Sequence, residues 1–301
     1  MTEAAKGVLA MVVACTVWGL SGIYFKAIAH VPPLEVLAHR TLWSLVFFLA
    51  VLAVQGRLLL LARLLCGRSL AMVAFAAAMV SANWFVFIWS IQSGHAIEAS
   101  LGYFIFPLVA VIFGRVLFRE DLAGAQWAAV AMAALAVVIL TVGLGAAPWI
   151  ALCLATTFGT YGLLKRQIEA GPLLSVAGEV SLLTPIALYS LWSIHTGRWG
   201  GDGGAFGQNW HVTLMLAFSG VLTGGPLMLF SYATKRVRLA TVGLVQYLNP
   251  TLQFAAAVLV FAEPVTRWHM IAFPLIWLAL GLYSLAVLRS ERRRRALPVA
   301  G

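Results

Sequence analysis

From Gly7 to Leu288 the chain is a succession of apolar blocks, each about twenty residues long, separated by short polar connectors. A block of that length makes about 30 Å of helix, the thickness of the hydrocarbon core of a bilayer. In that medium each backbone amide and carbonyl needs a partner inside its own segment, so the blocks read as spanning helices. Composition agrees, with 62% of the 301 residues hydrophobic and 10% charged; a soluble domain devotes about a quarter to charge. The expected fold class is all-α integral membrane.

The blocks also repeat. The segment EASLGYFIFPLVAVIFGRVLFRED, starting at Glu98, has a counterpart 143 positions later, TVGLVQYLNPTLQFAAAVLVFAEPV, starting at Thr241. Pro107 falls on Pro250, Leu101 on Leu244, Phe118 on Phe261 and Glu120 on Glu263. Trp18 to Gly22 likewise meets Phe158 to Gly162, Lys26 meets Arg166, and Pro33 meets Pro172 with one residue of slippage. Repeats at a fixed offset organise the whole chain. Ten spans follow: 7–29, 34–54, 70–92, 96–118, 123–143, 147–167, 172–195, 210–234, 239–261 and 268–288. Residues 1–144 form a first five-helix repeat, 145–288 a second, and 289–301 a basic tail. Five is odd, so the second copy enters from the opposite face, as in many secondary transporters.

Between the spans, Val31-Pro32-Pro33 is a turn, GRLLLLARLLCGRS a basic connector lying along the membrane surface, and TGRWGGDGGAFGQN the longest polar loop. The net charge of +10 is unevenly placed. With a cytoplasmic N-terminus, sixteen of the 20 lysines and arginines fall in inner segments, leaving Lys26, Arg40, Arg198 and Arg267 outside. By the positive-inside rule both termini are cytoplasmic, in a multi-pass protein of the cell inner membrane. The excess charge therefore faces anionic lipid, and no nucleic-acid partner is expected. Cys15, Cys66 and Cys153 are far apart, so no disulfide framework or metal site follows. There is no GxxxxGK[ST], GxSxG, HExxH or CxxC motif; ATP-driven transport within the chain is not expected, nor is a cofactor.

Within a bilayer each polar residue costs energy unless it faces protein or a wet hollow. Lys26, Glu35, His39, Arg40, His95 and Glu98 gather at the outer ends of spans, reading either as a charged vestibule with Arg40 paired to Glu98 or as headgroup snorkelling around a static ion pair. Glu179, about seven residues inside its span, should face the interior, paired with Lys165 or Arg166 or carrying a proton. Through the repeat it lies opposite Arg40, as a structural strut would. Trp18, Tyr24, Asn83, Trp84, Glu98, Tyr103, Tyr161, Gln246 and Asn249 are the candidate substrate-binding set, small polar groups on aromatic walls suited to an amphipathic organic solute. The alternative for the mid-membrane members is interhelical hydrogen bonding. Pro107 and Pro250 each remove a donor mid-span and are candidate hinges.

The segments VWGLSGIYFK, PPLEVLAHRTLWS, NWFVFIWS, EASLGYFIFPL and LVQYLNPTLQF together resemble the RarD group of EamA-type transporters, in the drug/metabolite transporter superfamily. That resemblance implies ten helices as two EamA repeats with cytoplasmic termini, and a central cavity lined by helices one, three, four, six, eight and nine. It also implies export of metabolites or drugs, one member being named for chloramphenicol sensitivity. The group usually has asparagine before the span-four proline; this chain has Phe106 there, and keeps Asn249 in the second half. The main expectation is a secondary exporter of small amphipathic solutes, not an enzyme. An uncoupled channel is the alternative, and an integral-membrane enzyme using Glu98 with His95 the third. The partners are a small-molecule substrate and the lipid bilayer, with a homodimer left open.

Overall fold

The computed structural model describes residues 2–67, 69–118, 124–145, 148–198, 203–237, 242 and 245–296. They form eleven α-helices: α1 (Glu3–Ala27), α2 (Pro33–Val54), α3 (Leu58–Cys66), α4 (Leu70–Gln92), α5 (Ala96–Phe118), α6 (Gly124–Leu144), α7 (Trp149–Gln167), α8 (Pro172–His195), α9 (Trp210–Thr234), α10 (Leu248–Leu259) and α11 (Arg267–Ala296). Local chemistry sets several starts. The Thr2 hydroxyl accepts from the Ala5 amide at 3.2 Å and the Asn209 side chain from the His211 amide at 2.8 Å, each satisfying an amide with no partner within its helix. Pro33 and Pro172 open α2 and α8, where proline forfeits no hydrogen bond.

Among the described residues, seven helices are long and apolar enough to cross a bilayer, and shorter apolar stretches occupy Ala96–Val109 and Leu248–Leu259. The leucine-rich connector forms the short helix α3, which lies against α8. α11 stays helical through Ala296, eight residues beyond the expected end at Leu288.

The two halves pack in exchangeable pairs. α1 meets α9 as α7 meets α4, α1 meets α10 as α7 meets α5, and α2 meets α9 as α8 meets α4. α2 with α8, α5 with α10 and α6 with α11 each pair with their own counterpart. Such a pattern is what a two-fold relation between two copies of one unit produces.

The repeated acidic position has a definite task in the second half. Ala262 adopts φ 53°, and the following Glu263 carboxylate accepts from the Ala96 and Ile97 amides at 2.8 and 2.9 Å. It thereby caps α5, placing negative charge at the positive end of that helix. Its repeat partner Glu120 lies outside the described residues, with Arg119, Asp121 and Leu244.

The repeated prolines are not equivalent. Pro107 lies inside α5 and removes the bond its amide would give Tyr103. Pro250 is the third residue of α10, and the first bond of that helix runs from the Thr251 amide to the Tyr247 carbonyl at 3.2 Å. The expectation of a second mid-helix proline is therefore corrected: the chain is helical at 245–246, turns at Tyr247 and restarts, so Pro250 costs no donor. Pro185, Pro226 and Pro274 also lie inside helices.

Close crossing of α2 and α9 depends on the GVLTG run, Gly220 to Gly224. A β-carbon at Gly220 would stand 2.3 Å from the Trp43 carbonyl carbon, and backbone cannot step aside as a side chain does. Gly220→Val is expected to destabilise the fold by about 1–3 kcal/mol in micellar unfolding, as overpacking does. Gly225→Ala, with nothing within 4 Å, should leave the midpoint unchanged or raised.

Candidate solute-binding cavity

A cavity of about 420 Å³ lies between the halves. Its size falls in the range of pockets that hold small organic ligands. Trp18, Asn83, Trp84, Tyr103, Tyr161, Gln246, Asn249 and Pro250 all line it. The resemblance-implied set of helices is incomplete, because α2 contributes Arg40 and α8 contributes Pro172 and Val176.

Asn83 is the knot of one wall. Its Nδ2 donates to the Leu154 carbonyl and to Thr157 Oγ1, both at 3.1 Å, and its Oδ1 accepts from the Tyr103 hydroxyl at 2.8 Å. One buried amide thus joins α4, α5 and α7 with its oxygen and nitrogen both engaged, which suits a positioning role. Aromatic rings continue the wall: Phe158 meets Tyr103 edge-on at 5.7 Å and Phe106 edge-on at 4.9 Å, and stacks on Tyr161 at 5.9 Å. Phe106 thus gives the cavity a ring where Asn249 gives an amide in the second half. Asn249 Oδ1 accepts from Gln253 Nε2 at 2.9 Å.

Glu179 is fully buried and satisfied. Its Oε1 accepts from Lys165 Nζ at 2.7 Å and from Ser175 Oγ at 3.0 Å; its Oε2 accepts from the Tyr161 hydroxyl at 2.9 Å. Lys165 is the cation it takes; the Arg166 side chain lies outside the described residues. Glu179 stands behind the cavity surface, which Lys165 and Tyr161 line.

Arg40 departs furthest from expectation. Its guanidinium stacks over Trp84 at 4.2 Å and lies 5.5 Å from the Phe25 ring, while Nε donates to Thr223 Oγ1 at 3.0 Å. Among the described residues no carboxylate lies within 4.0 Å of it. The expected Arg40–Glu98 pair is therefore not formed. Arg40 is one turn deeper in α2 than Glu35 and turns inward onto aromatic rings, whereas Glu98 stays in the first turn of α5, beside Glu263 and His95 and away from the cavity. A carboxylate there complements the helix dipole. Nor do Arg40 and Glu179 meet as a strut.

Tyr24 also misses the cavity: its hydroxyl donates to the Met215 carbonyl, tying α1 to α9. The proposed vestibule separates into distinct sites. Lys26 lies 5.8 Å from the Phe261 ring, His95 stacks on Trp89, and Glu35 and His39 lie under the loop before α9. Sequence reasoning missed Thr223, Lys165 and Gln253 as lining residues. Thr223 and Gln253 carried the general mark of a polar residue inside an apolar block; Lys165 was named as a partner for Glu179 but not as a lining residue.

Paired packing of two helical halves around a shared hollow defines a multi-pass membrane protein of the transporter class. Residues 5–142 and 146–285 each match the EamA-like transporter family, and the chain belongs to that family, in its RarD group. It is 41% identical to the RarD protein of Streptomyces exfoliatus, covering 93% of this chain and 88% of that one. It is 39% identical to an uncharacterized transporter of Vibrio cholerae, over 97% and 96% of the two chains, and 34% identical to RarD of Escherichia coli K12, over 97% and 98%. A solved crystal structure superimposes with a TM-score of 0.62 at 20% identity, covering 93% of this chain and 98% of its own, a likeness of fold.

Proposed function

We propose that this transporter is a secondary exporter of the cell inner membrane, carrying small amphipathic organic solutes that bear an anionic group. The observation that carries the reading is Arg40: among the described residues the charged side chains lining the cavity are Arg40 and Lys165, and Lys165 is already neutralised by Glu179. One positive charge is left facing aromatic walls. A buried guanidinium has a planar fork that matches a carboxylate or phosphate, and it repels cationic solutes. Trp18, Trp84 and Phe158 would receive the apolar body, with Gln246 and Asn249 supplying orienting amides.

Ten spans, with the second repeat inverted and both termini cytoplasmic, would put this hollow near the bilayer midplane. Alternating access would rock the repeats about it, Pro107 and the Tyr247 break giving bending points beside the wall. The test is uptake into proteoliposomes of labelled aryl carboxylates, their amides, arylamines and chloramphenicol. Saturable flux favouring the carboxylates is expected. Flux that never saturates would instead mark an uncoupled channel.

A further inference from the structure

A second cluster of chemistry lies outside the cavity. Glu35 and His39 are one turn apart on α2, and the last residue of α8, His195, comes alongside; one donor atom from each lies within 4.8 Å of the others. Glu35 is fully buried and His39 is 5% exposed, while His195 is exposed. Glu35 Oε1 is occupied, accepting from the Ala205 and Phe206 amides at 2.7 and 3.1 Å. Glu35 Oε2 and both ring nitrogens of His39 are buried without any hydrogen-bond partner. Buried polar atoms in native folds are almost always satisfied, so an unpartnered carboxylate oxygen and an unpartnered imidazole one turn apart, with a second imidazole alongside, call for a ligand that takes one nitrogen of each ring.

We propose that Glu35, His39 and His195 form a site for a divalent transition-metal ion, Zn²⁺ being the best match. Two imidazoles and one carboxylate, leaving a fourth position open, are a recurrent zinc donor set, whereas Ca²⁺ and Mg²⁺ require oxygen ligands throughout. Donors around a tetrahedral ion with bonds of about 2.0–2.2 Å stand about 3.4 Å apart. The cluster therefore closes by about 1.5 Å or less on binding, a movement open to the exposed His195 ring. The loop before α9 holds the set: its amides fix Glu35, the Phe206 ring stacks on His39 at 4.5 Å, and Gly204 lies against the His195 ring, where a β-carbon would fall 2.2 Å from Cε1. Because α2 belongs to the first repeat and α8 to the second, the ion joins the two at one end.

The experiment uses the full-length, tag-free protein in micelles, titrated with Zn²⁺ against a chromophoric chelator and separately with Co²⁺. One ion per chain is expected, with Co²⁺ giving the intense visible bands of a four-coordinate site. His195→Ala removes an exposed side chain and leaves the core intact. It should weaken uptake by no less than the roughly tenfold cost of losing even an outer partner of a metal ligand. Glu35→Gln, with folding checked by its unfolding midpoint, should do the same. No stoichiometric uptake, or uptake unaltered in both variants, overturns the proposal.

Discussion

Lys165→Met is expected to destabilise the protein by about 3–5 kcal/mol, while Lys165→Met/Glu179→Met recovers most of that loss. The reason is an asymmetry between breaking a buried ion pair and replacing it. Glu179 has no exposure, and its Oε1 meets the ammonium at 2.7 Å. Without Lys165 the carboxylate keeps the hydroxyls of Ser175 and Tyr161, which are too weak to hold an ionised group away from water. Removing both charges leaves no uncompensated ion, only the Ser175 and Tyr161 hydroxyls without their acceptor, a smaller cost than a buried lone charge. Unfolding midpoints of the two variants in one detergent decide it; a single variant within about 1 kcal/mol of wild type would mean that the pair contributes little. Glu179→Gln separates structure from proton coupling. Flux with an unaltered pH profile in that variant removes any role for a proton at this position.

The helices were legible because hydrocarbon forces long uninterrupted blocks: 70–92, 96–118, 172–195 and 210–234 are found with the expected bounds. The departure at α10 had a local cause. Block length and hydropathy do not register a single turn at Tyr247, so a segment read as one continuous helix hid a break. The aromatic and amide wall was legible because residues such as Asn83 and Tyr161 are conspicuous inside apolar blocks. What the pattern could not supply was direction. Arg40 and Glu98 share an end of the bundle by topology, yet one turns onto Trp84 and the other stays by the start of α5. The convergence of Glu35 and His39 with His195 was half visible, as an i, i+4 pair on one helix; the third member arrives only through packing of α2 on α8.

Arg40→Gln is expected to abolish the preference of the cavity for an aryl carboxylate over the corresponding amide, lowering carboxylate affinity roughly thirty-fold. That corresponds to about 2 kcal/mol, within the usual range for a charge-assisted hydrogen bond removed from a buried site. The amide is the internal control. Loss of the bond to Thr223 or of stacking on Trp84 and Phe25 could loosen the wall, but that would weaken both ligands together. Only the charge distinguishes them. Arg40→Lys keeps the charge while giving up the planar fork and the flat face on the indole, so it should fall between wild type and Arg40→Gln. Ligand-induced shifts in unfolding midpoint, measured for both ligands on all three proteins, give the comparison, since a solute that binds only the folded form raises it. Equal preference in wild type and Arg40→Gln would place the recognition elsewhere and leave Arg40 as a helix-packing cation. A selective loss for the carboxylate would tie the substrate to the uncompensated charge of Arg40 on the cavity wall.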